Sequence, residues 1–277
     1  KYVLTANARA DASSKVGENN RWGFFPSTSL AWVLSEEGFL KDVSFLNNLK
    51  LRAGYGVSGN LGAIDSYNSL QLMKPNGVVS VNGAPTVTMG VIRNANPDLK
   101  WEVKRTFNVG LDAGFFQNRL ILAADYYHAK TSDMLYLYDV SVPPFAYNKL
   151  LANLGSMENS GVELGLGITP LQKKDMELNI NVNVAFQKNK LLSLSGMYNG
   201  QYMSAPQYTP IASLNGAGFH GGNNHIVYQI VGESLGVFYL PHCTGLVEQA
   251  DGSYRYEVAD LNGNGVNLED GEDRYVA

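Results

Sequence analysis

The chain has 277 residues, 45% of them hydrophobic and 17% charged, with a net charge of −4 and a pI near 5.6. That composition can bury a core, and its weakly acidic balance gives no field for a phosphate backbone, which excludes nucleic acid as an expected partner. The single cysteine, Cys243, excludes an internal disulfide or a paired-thiol motif. No run approaches the ~18 consecutive apolar residues of a membrane-spanning helix, a test that says nothing about strands.

Seven segments alternate apolar and polar residues with the period of two that marks a strand whose faces meet different surroundings. In residues 1–11, Tyr2, Leu4, Ala6, Ala8 and Ala10 oppose Thr5, Asn7, Arg9 and Asp11. A less regular strand runs from Trp22 to Leu34. In residues 49–57, Leu49, Leu51, Ala53, Tyr55 and Val57 face away from Lys50, Arg52, Gly54 and Gly56. Residues 106–115 set Phe107, Val109, Leu111, Ala113 and Phe115 against Thr106, Asn108, Gly110, Asp112 and Gly114. After the turn Gln117-Asn118-Arg119, a strand starts with Leu120, Leu122, Ala124 and Tyr126. Val162, Leu164, Leu166 and Ile168 then alternate with Glu163, Gly165 and Gly167. Past a turn with Pro170 and Lys173-Lys174-Asp175, Met176, Leu178, Ile180, Val182, Val184 and Phe186 oppose Glu177, Asn179, Asn181, Asn183 and Gln187.

Several runs reach the 9–11 residues that a tilted strand needs to cross a bilayer. The polar faces carry Asn, Asp, Arg and Gly, whereas a small closed barrel or a sandwich would fill that face with bulky apolar side chains. The expected fold is therefore an all-β, antiparallel transmembrane barrel sector of about eight strands with a wet inner face. Short links near 36–48, 117–119 and 171–175 alternate with long ones near 60–99, 140–159 and 195–230, the arrangement of periplasmic turns and extracellular loops. Tyr126, Tyr127, Tyr136 and Tyr138 near strand ends are expected in interfacial girdles. Residues 1–11 carry no signal-peptide pattern, and both ends of the chain read as interior to a longer protein.

Several local sequences are similar to those of SusC/RagA-like TonB-dependent outer-membrane transporters: Arg21-Trp22-Gly23-Phe24-Phe25-Pro26-Ser27, residues 49–56 with Gly59-Asn60, and Asn96-Pro97-Asp98-Leu99-Lys100-Trp101-Glu102. Asn108-Val109-Gly110-Leu111-Asp112, Asp125-Tyr126-Tyr127, Asn153 to Glu163 and Gly232-Glu233-Ser234-Leu235-Gly236 continue the series in the family's order across nearly the whole chain. The resemblance implies part of the C-terminal half of a barrel of about 22 strands, with residues 1–277 all barrel and the plug domain and final strands outside it. It further implies active import of an oligosaccharide or peptide through the outer membrane of a Bacteroidetes-like Gram-negative cell. The implied partners are TonB, a SusD-like surface lipoprotein and outer-membrane lipid. Alternatives are a binding or adhesion barrel without energised transport and a secreted carbohydrate-binding β-protein.

No nucleophile elbow, phosphate loop or His-Glu-x-x-His motif is present, so no enzymatic activity is expected. Asp260-Leu261-Asn262-Gly263-Asn264-Gly265 opens like a calcium loop, in which Asp260, Asn262, Asn264, the Val266 carbonyl and Asp270 would bind Ca²⁺. The closing acid is out of register, since position twelve is Gly271, and a plain polar turn is the competing reading. His128 and His242 are isolated, and His220 and His225 sit in a glycine-rich stretch, so all four read as solvated loop residues. Sugars offer faces for stacking and hydroxyls for hydrogen bonds, which selects Tyr67, Asn68, Tyr147, Asn148, Tyr198, Asn199, Tyr202 and Tyr208 on long loops as candidate ligand contacts.

Overall fold

The alternation becomes a sheet in the computed structural model, which describes residues 1–213, 225–265 and 274–276. Its first compact unit, Lys1–Ala205, contains β1 (Tyr2–Ala12), β2 (Trp22–Val33), β3 (Leu46–Asn60), β4 (Leu72–Val81), β5 (Ala84–Arg93), β6 (Glu102–Phe115), β7 (Leu120–Asp139), β8 (Lys149–Lys173), β9 (Met176–Tyr198) and β10 (Gln201–Ser204). Eight of these form one open antiparallel sheet in the order β1-β2-β3-β6-β7-β8-β9-β10, and β4 and β5 make a separate hairpin.

The register gathers one kind of residue on each face. Leu51 lies opposite Leu111, Leu111 opposite Ala124, Ala124 opposite Leu164 and Leu164 opposite Val184. The other face carries Arg52, Gly110, Asp125, Glu163 and Ala185 in the same manner. On the apolar face Tyr55, Phe107, Tyr126 and Phe186 are 44%, 45%, 46% and 65% exposed. A second packed layer would have covered them, so this face fits lipid and not the core of a sandwich. It extends on β9 from Leu178 to Phe186, roughly 26 Å along a strand. With the strand tilt of a barrel this shortens to about 20 Å, close to a barrel's apolar band.

The connections differ most from those expected between β7 and β8. Residues 140–159 are not a long loop: β7 and β8 continue well past the apolar band and are joined by residues 140–148 alone. The alternation is lost there because both faces are packed. Tyr138 and Leu150 bury one face with Ala152 and Met203, while Leu135 and Leu151 pack on the other against Val16, Ile64 and Leu99. The expected girdle changes accordingly. Tyr126 belongs to it with Tyr55, Phe107 and Phe186, but Tyr127 points to the polar face, where it donates to Asn159. Tyr136 and Tyr138 are in the packed extension. At the opposite end of the band Tyr2 stacks on Trp32, and Phe45, Phe115 and Phe116 cluster.

Two hairpins were not foreseen, although their turns are written in the sequence. Asn82-Gly83 and Asn199-Gly200 are two-residue turns with positive φ at both positions, of 52° and 81°, and 47° and 79°, the conformation Asn-Gly favours. They close β4–β5 and β9–β10.

The second unit, Pro206–Ala277, contains β11 (Tyr208–Ser213), β12 (His225–Ile230), β13 (Val237–Leu240), β14 (Cys243–Glu248), β15 (Tyr254–Val258) and β16 (Tyr275–Val276). β11, β12, β13 and β16 form a small sheet, and β14 and β15 a hairpin. Arg274 holds the sheet by donating to the His225 carbonyl and to the Tyr228 hydroxyl at 3.1 and 3.2 Å.

Candidate functional site

Two surfaces of the first unit are built for polar work. One is the polar face of the sheet. The Arg52 guanidinium on β3 grips Asp112 on β6 through Nε and Nη2, at 2.8 and 2.9 Å. It also reaches across β6 to Asp125 on β7 at 3.1 Å, and Lys50 adds a contact of 2.8 Å to Asp112. The crossing requires Gly110: a β-carbon there would overlap Asp125 Oδ1 and lie 2.8 Å from the Arg52 guanidinium carbon. We therefore expect Gly110→Val to lower the unfolding free energy of the full-length protein in lipid vesicles by about 1–3 kcal/mol. Gly56→Ala should be near neutral in the same guanidinium titration, because its added carbon would sit at ordinary contact, 3.5 Å from Ser27.

The second surface is the long-loop end. Its keystone is the segment from Asn94 to Trp101, fastened to β8 by three buried asparagines. Asn94 Nδ2 donates to the carbonyls of Tyr147 and Lys149 at 2.6 and 2.8 Å, and its Oδ1 accepts from the N–H groups of Ala146 and Tyr147. Asn96 donates to the Leu151 carbonyl and accepts from the Asp98 N–H and the Tyr198 hydroxyl. Asn153 accepts from the Lys100 N–H at 2.9 Å and donates to the carbonyls of Lys100 and Asp133, both at 2.8 Å. An amide side chain carries both donors and an acceptor, so it can stand in for a strand's backbone where the chain cannot pair directly. Gly17 completes the frame by donating to the Leu99 carbonyl at 2.8 Å. A β-carbon at Gly17 would collide with the Pro97 carbonyl.

Beside this frame lies a cleft of about 510 Å³ whose walls include Lys15, Glu18, Arg21, Ser66, Tyr67 and Ser69. Of the expected ligand contacts, Tyr67 lines it, 65% exposed and held at φ 66°. Asn68 is buried next to it. Tyr147 and Asn148 lie in the β7–β8 link, Tyr147 bound to Asn94 and Asn148 accepting from the Val140 N–H. Tyr198 is engaged by Asn96, Asn199 forms the β9–β10 turn, and Tyr202 is exposed on β10. Tyr208, in the second unit, stacks on Tyr239. The structure thus places Tyr67 on the cleft wall and not Asn68, which is buried; Tyr147 joins the framework through its backbone, Tyr198 through its hydroxyl and Asn199 through its turn. Lys15 and Arg21, which bring charge to the cleft, were missed because nothing in their local sequence separates them from ordinary turn residues.

Burial pushes the Tyr138 hydroxyl up to about 12, with Tyr136 beside it adding to the effect; burial, and then the charge of Asp98, raise Tyr198. Tyr138 Oη is buried without a hydrogen-bond partner among the described residues. A folded-state value above the unfolded one of ~10 means that the stabilisation is complete below pH 10 and is lost as the pH rises towards 12. Tyr138→Phe should remove that loss and leave stability at neutral pH unchanged or slightly higher, as read by thermal unfolding at pH 8 and pH 11.

The proposed calcium ligands are only partly described. The Asp260 carboxylate accepts from the N–H groups of Gly263 and Gly265 at 2.6 and 2.8 Å, and Asn262 Oδ1 accepts from the Asn264 N–H at 2.9 Å. Val266 and Asp270 lie outside the described residues. Among the described residues, no group of three acidic, histidine or cysteine side chains is placed to hold a metal.

Residues 1–273 match the family described as TonB dependent receptor-like, beta-barrel. The chain belongs to this family. The TonB-dependent receptor P39 of Formosa agariphila is 37% identical over 208 residues, 73% of this chain and 19% of that protein. TonB-dependent receptor SusC of Bacteroides thetaiotaomicron is 34% identical over 204 residues, 73% of this chain and 20% of SusC. The chain thus spans about a fifth of the length of these curated relatives. Among solved structures, the RagAB peptide transporter covers the whole chain at 25% identity and a TM-score of 0.75, with 28% of its own chain matched. A RagAB peptide importer in the open-open state gives a TM-score of 0.77 at 24% identity over 100% of this chain and 27% of that one. The chain is accordingly a SusC-like sector of an outer-membrane TonB-dependent receptor barrel. Its apolar band faces lipid and its Arg52–Asp112–Asp125 network faces the lumen.

Proposed function

We propose that the protein containing this chain imports a large nutrient, an oligosaccharide or a peptide, using energy delivered by TonB and ligand delivered by a SusD-like surface lipoprotein. The observation that carries this reading is the polar inner wall. A face of charged, amide and glycine residues leaves a wide hydrated passage, where a small barrel would be filled by side chains. SusC-like family membership supports the transport class, and the description of RagAB as a peptide importer keeps peptides beside glycans as cargo. The cleft with Tyr67, Lys15 and Arg21 is a ligand contact at the outer mouth. Stacking on an aromatic ring contributes about 0.5–1.5 kcal/mol, so Tyr67→Ala is expected to raise the half-saturating ligand concentration about threefold to tenfold.

The test is uptake of labelled oligosaccharide and peptide pools by cells with the gene, without it, and with tonB deleted. Loss of uptake of one pool in both deletions is the expected result. Uptake unchanged by the tonB deletion would favour a barrel without energised transport. Recovery of native protein in the soluble periplasmic fraction would favour a secreted β-protein.

A further inference from the structure

The outer face of the sheet is apolar within the band, but its character changes abruptly at the long-loop end. Directly beyond Phe107 the next residue on the same face of β6 is Arg105. Beyond Tyr126 on β7 come His128 and Lys130, beyond Val162 on β8 come Ser160 and Glu158, and beyond Phe186 on β9 come Lys188 and Lys190. The pairing through this region is regular, so the parity of the apolar band carries over. Arg105 is opposite Lys130, Lys130 opposite Glu158, and Glu158 opposite Lys190. The row behind it sets His128 opposite Ser160 and Ser160 opposite Lys188. His128 is therefore a strand residue on this face and not a loop residue.

Arg105, Lys130, Lys188 and Lys190 share this patch with a single carboxylate, Glu158, and all four cations are exposed. Arg105 donates to the Ser132 hydroxyl at 2.9 Å. Among the described residues Arg105, Lys130, Lys188 and Lys190 form no ion pair. Like charges directly opposite on neighbouring strands destabilise a sheet, and Arg105 facing Lys130 is such a pair. The lumenal face shows the contrast, since Arg52 and Lys50 there are matched by Asp112 and Asp125. The outer row is a set of cations awaiting an anion.

Its depth identifies the source of that anion. The row begins one residue pair beyond the exposed aromatics, at the level where a lipid headgroup meets water. Lysine and arginine stems can lie along the apolar surface while their charged ends reach that level. From β6 to β9 the row spans about three strand spacings, roughly 14 Å, room for more than one phosphate. We infer that Arg105, Lys130, Lys188 and Lys190 form a binding site for the phosphates of a phosphorylated glycolipid of the outer leaflet, whose acyl chains lie along the apolar band beneath. This site is on the outside of the wall and is independent of what the lumen carries.

The test uses the full-length protein in nanodiscs of zwitterionic phospholipid, with bound lipid counted by native mass spectrometry. The probes are phosphorylated lipid A and the same lipid after phosphatase treatment. Wild-type protein should retain the phosphorylated form at least tenfold better, and K130Q/K188Q/K190Q should lose that preference while keeping the heat-modifiable mobility of a folded barrel. Glu158→Gln should strengthen retention. Equal retention of the two lipids by wild-type protein overturns the inference even if the triple variant fails to assemble, as does full retention by a folded triple variant. Complete competition by millimolar inorganic phosphate would assign the row to the free anion and overturn its lipid role.

Discussion

Replacing Leu111 with arginine should lower the stability of the full-length protein in a bilayer by about 2–4 kcal/mol, the cost of a charge on the lipid face near the midplane. Leu111 sits midway along the apolar residues of β6, between Phe107 and Phe115, paired with Leu51 and Ala124 on its flanks. Arginine at Asn181, on the opposite face of β9 across from Gly167, should change stability by no more than about 0.5 kcal/mol, as for an ordinary wet surface. Guanidinium unfolding in lipid vesicles reads both. Equal costs would mean that the two faces do not meet different solvents, and the assignment of lumen and lipid would fail.

The second large effect belongs to the asparagine frame. Asn153→Ala removes three hydrogen bonds and leaves the Lys100 N–H and two carbonyls, of Lys100 and Asp133, without their partner. Unsatisfied buried groups cost about 1–3 kcal/mol each, and with partial relaxation we expect about 3 kcal/mol, concentrated at the segment from Asn94 to Trp101. Local opening should then rise roughly a hundredfold. Hydrogen exchange of the Asp98 to Trp101 amides should accelerate by that factor, while the amides of Leu164 to Ile168 in the band stay unchanged. Acceleration spread evenly over the barrel would instead show that Asn153 supports global stability and not the frame.

These two cases also separate what was legible in the sequence from what was not. Leu111 could be read because lipid on one side and water on the other impose a period of two, and no other force in a soluble sheet leaves Phe107 and Phe186 so exposed. The extension of β7 and β8 hid because Tyr138, Leu150, Leu135 and Leu151 are packed from both sides, which erases the period. Asn96 and Asn153 were visible only as letters in family-like words; their amides work across more than fifty residues of sequence, a distance that local pattern cannot report. Among the ligand candidates, choosing tyrosine and asparagine on loops reached Tyr67 at the cleft, but it also selected Tyr198, whose hydroxyl holds Asn96, and Asn199, whose backbone makes a turn.

The frame around the segment from Asn94 to Trp101 is held inside by neutral amides, backbone groups and apolar contacts among Val16, Ile64 and Leu99, and at its rim by charge, with Lys100 Nζ 2.6 Å from Asp133 and the Asp98 carboxylate accepting from Asn19. The buried amides and apolar contacts carry no net charge and are not screened by dissolved ions, whereas the part-exposed Lys100–Asp133 pair is. The interior of this frame should therefore keep one shape in fresh water and in brine, with any response to salt confined to its rim.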